Sequence, residues 1–147
     1  MKKVILLGLV SILAFNSCKN DDVEVPVLSV VGTWKLDKTV IRSGTDSSVI
    51  LGTLNYNDCK KQSSYDFSSD GNYTTKFYDA VSGTCAVSYP GTQTYKFNSY
   101  SMRVILGTTY AKVYSLTENE LVIQDLYSAT DYNNDGIVDI YVNYMIK

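Results

Sequence analysis

The chain has 147 residues, 45% of them apolar and 19% charged, with a formal charge of −2 and no histidine. That length suits one domain with its own core, and the charge balance offers no basic stripe for phosphates, which argues against nucleic acid as a partner. Without histidine the usual general base, proton shuttle and commonest transition-metal ligand are missing, and Ser-His-Asp or Cys-His catalysis is excluded.

The N-terminal segment reads as an export signal. Met1-Lys2-Lys3 is positive, and Val4 to Phe15 is an apolar run broken by Gly8 and Ser11. It is shorter than the ~20 residues that span a bilayer but suits the hydrophobic region of a secretory signal. Phe15-Asn16-Ser17-Cys18 resembles a bacterial lipobox, which implies cleavage after Ser17 and a lipid on Cys18. Losing Lys2 and Lys3 with the leader would take the charge to about −4. Lys19-Asn20-Asp21-Asp22 and the stretch through Pro26 read as a solvated tether, and resemble the surface-export signal of Bacteroidetes lipoproteins. The expected division is a signal peptide over 1–17, a lipidated tether over 18–30 and one domain over 31–147.

From Val31 onward the apolar residues alternate, which predicts strands. Thirteen tyrosines against four phenylalanines add to that, since tyrosine suits half-buried pleated surfaces. Gly32-Thr33-Trp34-Lys35-Leu36 heads the first strand, with Trp34, Leu36 and Val40 expected on one face. Ser43 to Ser48 is a loop, and Val49 to Tyr56 a second strand bent at Gly52. Ser64 to Phe67 and Tyr73 to Tyr78 form a hairpin about Asp70-Gly71, a pair that supplies the positive φ of a tight turn. Asp79 to Gly83 reads as a loop leading to Cys85, and Pro90-Gly91 as its closing turn. Thr92–Phe97, Met102–Leu106, Tyr110–Leu116, Leu121–Tyr127 and a last strand through Ile146 follow. Lys112 between Tyr110 and Tyr114 fits only if that face is outside. The total is about nine antiparallel strands.

The ordered set of Gly32-Thr33-Trp34, Cys59, Tyr65 to Tyr73 with its Asp-Gly turn, Cys85, and Leu116 to Ile123 resembles the lipocalin-like domain family of Bacteroidetes lipoproteins, over Val31 to roughly Leu126. The resemblance implies an all-β, up-and-down barrel of 8–9 strands, with Gly32 and Trp34 as fold markers and a Cys59–Cys85 disulfide. A bridge there would be worth roughly 3.5 kcal/mol by chain entropy. True lipocalins place an arginine of the last strand over the first-strand tryptophan, and here that strand has none.

One further stretch carries chemistry. Asp131, Asn133, Asp135 and Asp139 place side-chain oxygens at positions one, three, five and nine of a calcium-type loop. Gly136 stands at six, and Ile137 at seven offers a backbone carbonyl. Position twelve is Val142, so the bidentate glutamate of an EF-hand is missing. The alternatives are a weak extracellular Ca2+ site and a polar hairpin turn. Glutamate is limited to Glu24, Glu118 and Glu120, and the last two read as surface charges, not a glycosidase pair. The expected function is non-enzymatic: a lipid-anchored module of the bacterial cell envelope, on the outer membrane, that binds a small apolar ligand. The alternative is an interaction domain for an envelope protein partner, its barrel filled by side chains; a cavity below roughly 300 Å³ would favour it.

Overall fold

A computed structural model describes residues 28–147, apart from the side chains of 88–90. The leader, the lipobox with Cys18 and most of the tether lie outside the described residues. Nine strands follow one another: β1 (Gly32–Arg42), β2 (Ile50–Asn55), β3 (Ser64–Phe67), β4 (Asn72–Val81), β5 (Thr84–Asn98), β6 (Arg103–Leu106), β7 (Thr109–Leu116), β8 (Glu120–Gln124) and β9 (Ile140–Ile146). From β3 to β9 each pairs antiparallel with the next, and β9 returns to β1, so β1 and β3–β9 close an eight-stranded ring. Closure gives every strand of the ring a partner on both sides over part of its length, which limits exposed edges. Strand β2 stands outside it, paired to β1 over Lys38–Arg42. Strand β3 takes the same edge of β1 lower down, over Gly32–Lys35.

The gap left between β2 and the far half of β4 is filled by a 3₁₀ turn, Lys60–Gln62. Ser63, fully buried, stitches both flanks: its carbonyl accepts from the Leu36 amide and its hydroxyl from the Tyr78 amide, each at 2.9 Å. Lys60 pairs with Asp79 of β4 at 2.8 Å and Lys61 with Asp37 of β1 at 2.9 Å. The Cys59–Cys85 disulfide, with a sequence separation of 26, ties this turn to β5, as the family resemblance implies.

Inward residues of the ring make one core: Val30, Trp34, Leu36, Tyr65, Phe67, Tyr73, Val104, Leu106, Ala111, Val113, Leu116, Leu121, Ile123 and Met145. Val30, at the expected end of the tether, is already part of it. Trp34 has no exposed surface and donates its indole N–H to the Val30 carbonyl at 2.7 Å. Truncating such a tryptophan costs about 3–5 kcal/mol. Lys147, just past β9, lays its ammonium 4.7 Å from the Trp34 ring centroid. A cation does cover the tryptophan, one residue beyond the strand where none was expected.

Three expectations are corrected. Val40 does not share a face with Trp34 and Leu36: the β1–β9 register shifts between Leu36 and Lys38, a bulge at Asp37 that reverses the alternation. Thr39 and Ile41 turn inward, and Val40 pairs with Val142 on the outer face. Asp79 to Gly83 is not a loop, because β4 runs to Val81 and the turn is Ser82-Gly83, both at positive φ. Pro90-Gly91 is not a turn either but lies within the long β5. Over Thr84–Thr94 that strand pairs only with β4, β6 beginning at Tyr95, and a strand paired on one edge tolerates proline. Lys112 is outside as expected, its ammonium 4.7 Å from the Tyr114 ring centroid. Arg103 over Tyr110 and Lys38 over Tyr144 repeat the arrangement, so several tyrosines serve as outer-face packing for cations.

Candidate functional site

The calcium-type loop is tied up by hydrogen bonds. Asp131 accepts from the Asp135 amide at 3.1 Å and the Gly136 amide at 2.7 Å. Asp135 accepts from the Ile137 amide at 2.8 Å and from the Asn133 side-chain amide at 2.9 Å. Asp139 is turned away from both. It is buried, with Oδ1 accepting from the Gly44 amide at 2.9 Å and Oδ2 from the Tyr132 amide at 2.7 Å. Every carboxylate oxygen of the three aspartates thus has an N–H donor, which offsets part of the cost of holding three negative charges close together. No group of three or more acidic, cysteine or histidine side chains is placed to hold a metal among the described residues. Ile137 uses its side chain against Gly44. The loop serves as a clamp between the β1–β2 turn and the approach to β9.

The end of the barrel opposite Trp34 is built differently. Thr39 donates to Asn143 Oδ1 at 2.5 Å, Tyr56 donates to Thr39 at 3.0 Å, and the Asn143 amide donates to the Tyr65 hydroxyl at 3.3 Å. These polar groups come from β1, the segment after β2, β3 and β9. The chain then leaves β8 and crosses this end. Asp125 holds the crossing through its own amide to the Tyr141 carbonyl at 2.8 Å. Its carboxylate accepts from the Tyr127 amide and the Ser128 hydroxyl, both at 2.9 Å. Tyr127 is thereby set edge-on to Phe77, centroids 6.1 Å apart.

Tyr127 divides the open end. On one side a cavity of about 230 Å³ is lined by Leu36, Tyr56, Lys60, Tyr65, Phe77, Asp125, Ser128 and Asn143. On the other a cavity of about 180 Å³ is lined by Gln93, Leu106, Thr109 and Leu126. Tyr127 borders both, and between them a void of about 10 Å³ touches Tyr65 and Tyr73. Neither cavity alone reaches the ~300 Å³ of ordinary ligand sites; joined, they exceed it. The Tyr73 hydroxyl is buried and makes no hydrogen bond of good geometry, with the Tyr127 phenol in reach of it. Its pKa is raised by burial and then by the Tyr65 and Tyr127 phenols beside it. Burial likewise pushes Tyr65 well above the usual tyrosine range, with the Asp125 charge adding to it.

Of the residues singled out from sequence, Gly32 and Trp34 lie at the closed end, Cys59 and Cys85 on the barrel wall, and Asp131–Asp139 on the crossing loop. None lines these cavities. Tyr65 and Tyr73 fall within the predicted hairpin strands, but nothing in the alternation marked them as a site. Tyr127 was assigned to a strand; β8 ends at Gln124, and Asp125 then turns the chain.

Comparison with curated proteins finds no match to the chain. The family model of the lipocalin-like domain matches residues 30–123, from the buried Val30 through the inward Ile123, leaving β9 to close the ring beyond the match. With the match covering most of the chain and the closed antiparallel barrel around Trp34, this protein belongs to the lipocalin-like domain family.

Proposed function

We propose that the chain is a binding module for a compact small molecule, held at the open end of the barrel where Tyr127 meets the wall of Tyr56, Tyr65 and Phe77. The observation that carries this is the pair of cavities bordered by Tyr127, one of them lined by the buried Tyr65 phenol, with a small void that also borders Tyr127 reaching Tyr73. The lining is aromatic but not purely apolar, so the occupant has a flat or aliphatic body and a polar end. Acylated Cys18 would tether the module to the bacterial outer membrane, with residues 19–29 as spacer. No catalytic role is assigned to the site.

The test is native mass spectrometry of the full chain taken from its own membrane. A small molecule leaving with the wild-type protein but not with a Tyr65→Ala variant supports the reading; an empty protein at native abundance counts against it. Incorporation of an alkyne fatty acid that disappears in Cys18→Ala tests the anchor.

A second reading, an interaction domain for an envelope partner, is favoured by one observation: the core is filled by side chains, with each of the two cavities beside Tyr127 under the size of an ordinary ligand site. Cross-linking in whole cells that captures one discrete partner, with no bound small molecule, would select it.

A further inference from the structure

Resting on the binding reading above, we infer that the site selects a neutral ligand carrying a hydrogen-bond acceptor, such as a carbonyl oxygen, which the Tyr73 hydroxyl grips once Tyr127 swings away. Tyr73 is 1% exposed, and its hydroxyl makes no hydrogen bond of good geometry, having only the Tyr127 phenol to interact with. A buried donor left unmade is costly, and an acceptor supplied from outside recovers that cost. Beside it, Tyr65 accepts from Asn143, and no bond is made by its own proton among those described. The two rings stand 6.0 Å apart, and both border the same small void.

The remaining charges set the sign. The Asp125 carboxylate bears on both phenols and disfavours an anion. Lys60, the one cation on the lining, is spent on Asp79 at 2.8 Å. A cation could approach Asp125, but that carboxylate already accepts from the Tyr127 amide and the Ser128 hydroxyl. A neutral acceptor is what remains. In its absence the Tyr127 phenol occupies the mouth much as a ligand ring would, against Phe77.

The experiment uses three probes of one shape: acetophenone, α-methylstyrene (oxygen replaced by CH2) and benzoate. The ¹⁵N-labelled full chain in phosphatidylcholine nanodiscs is titrated with each by NMR, against empty nanodiscs. Acetophenone should bind about tenfold more tightly than α-methylstyrene, with shifts centred on Tyr65, Tyr73 and Tyr127, and benzoate most weakly. Tyr73→Phe, which keeps the ring and core volume, should erase the gap between the two neutral probes. Tyr127→Ala should tighten both. Equal affinity for the neutral probes, preference for benzoate, or a gap that survives Tyr73→Phe overturns the inference while leaving the binding site in place. If no probe binds even to Tyr127→Ala, the inference and the proposed function fall together.

Discussion

Asp139→Ala should destabilise the barrel by about 2–4 kcal/mol, the sum expected for two charge-assisted hydrogen bonds of which one is partly reachable by water. The carboxylate is 3% exposed and spans two segments distant in sequence, taking the Gly44 amide at 2.9 Å and the Tyr132 amide at 2.7 Å. Removing it leaves both amides short of an acceptor; Asp139→Asn keeps one oxygen but turns an NH2 toward the second amide, so it should lose roughly half as much. For a folded unit of this size the alanine variant's melting temperature should fall by roughly 10 °C. Urea unfolding should show a lower midpoint at unchanged slope. Gly44→Ala probes the same contact independently, because an added Cβ would lie 2.1 Å from the Val138 carbonyl oxygen. The double variant should cost less than the two singles together, since each already opens the clamp. Calcium separates the clamp from a metal site: at about 1 mM, the weak end of extracellular affinities, it should leave the wild-type melting temperature unmoved, as should chelator. A loss under about 0.5 kcal/mol in Asp139→Ala, or a clear calcium-dependent rise, would refute the clamp.

Other outcomes follow from the same geometry. Reducing or replacing the Cys59–Cys85 bridge should cost roughly 3.5 kcal/mol on the chain-entropy estimate, read as a fall in the urea midpoint with β structure retained in the dichroism spectrum. Tyr65 and Tyr73 are held neutral by burial, their folded pKa values raised, whereas unfolded tyrosine ionises near pH 10. Stability is therefore full below about pH 10 and declines as pH rises above it, because the unfolded chain releases protons the native one keeps. Urea midpoints across that range should show the decline, flattened in Tyr73→Phe. That variant should itself be neutral or stabilising by up to about 1 kcal/mol at neutral pH, as it deletes a hydroxyl that makes no hydrogen bond of good geometry. Lys147→Met should remove the cation over Trp34 at a cost of about 0.5–1 kcal/mol; as Trp34 is the chain's single tryptophan, its fluorescence reads the change directly.

The architecture was legible because most of it is local. Alternation named the strands, Asp70-Gly71 named a hairpin, and Gly71 does take φ +85. The glycine before Trp34 and the spacing of Cys59 and Cys85 carried the family. The binding end was not legible, and the reason is physical. Its residues come from nearly every strand, with side chains that meet only after the ring closes, and Tyr127 reaches them from a loop. The Asp-x-Asn-x-Asp-Gly pattern is ambiguous for a related reason. Aspartates that can hold a cation can equally accept backbone amides, and which they do depends on Gly44, some ninety residues earlier in the chain.

The character of the open end traces to one backbone irregularity. Had β1 kept strict alternation from Trp34 and Leu36, Val40 would face inward with no polar partner for Asn143. The extra residue at Asp37 shifts the β1–β9 register and is held in place by Lys61 at 2.9 Å. Beyond it Thr39 points inward, bonds Asn143 and receives Tyr56, and through Asn143 the network reaches Tyr65. Below the bulge the barrel is hydrocarbon and aromatic around Trp34; above it the wall carries hydroxyls and an amide. A bulge costs ladder hydrogen bonds and re-aims a side chain, and here the re-aimed residue is the one that makes the open end polar. The ion pair Lys61–Asp37 and the disulfide at Cys59 both brace the turn beside that bulge. The cysteine pair thus supports the binding end from behind, though neither sulfur touches it.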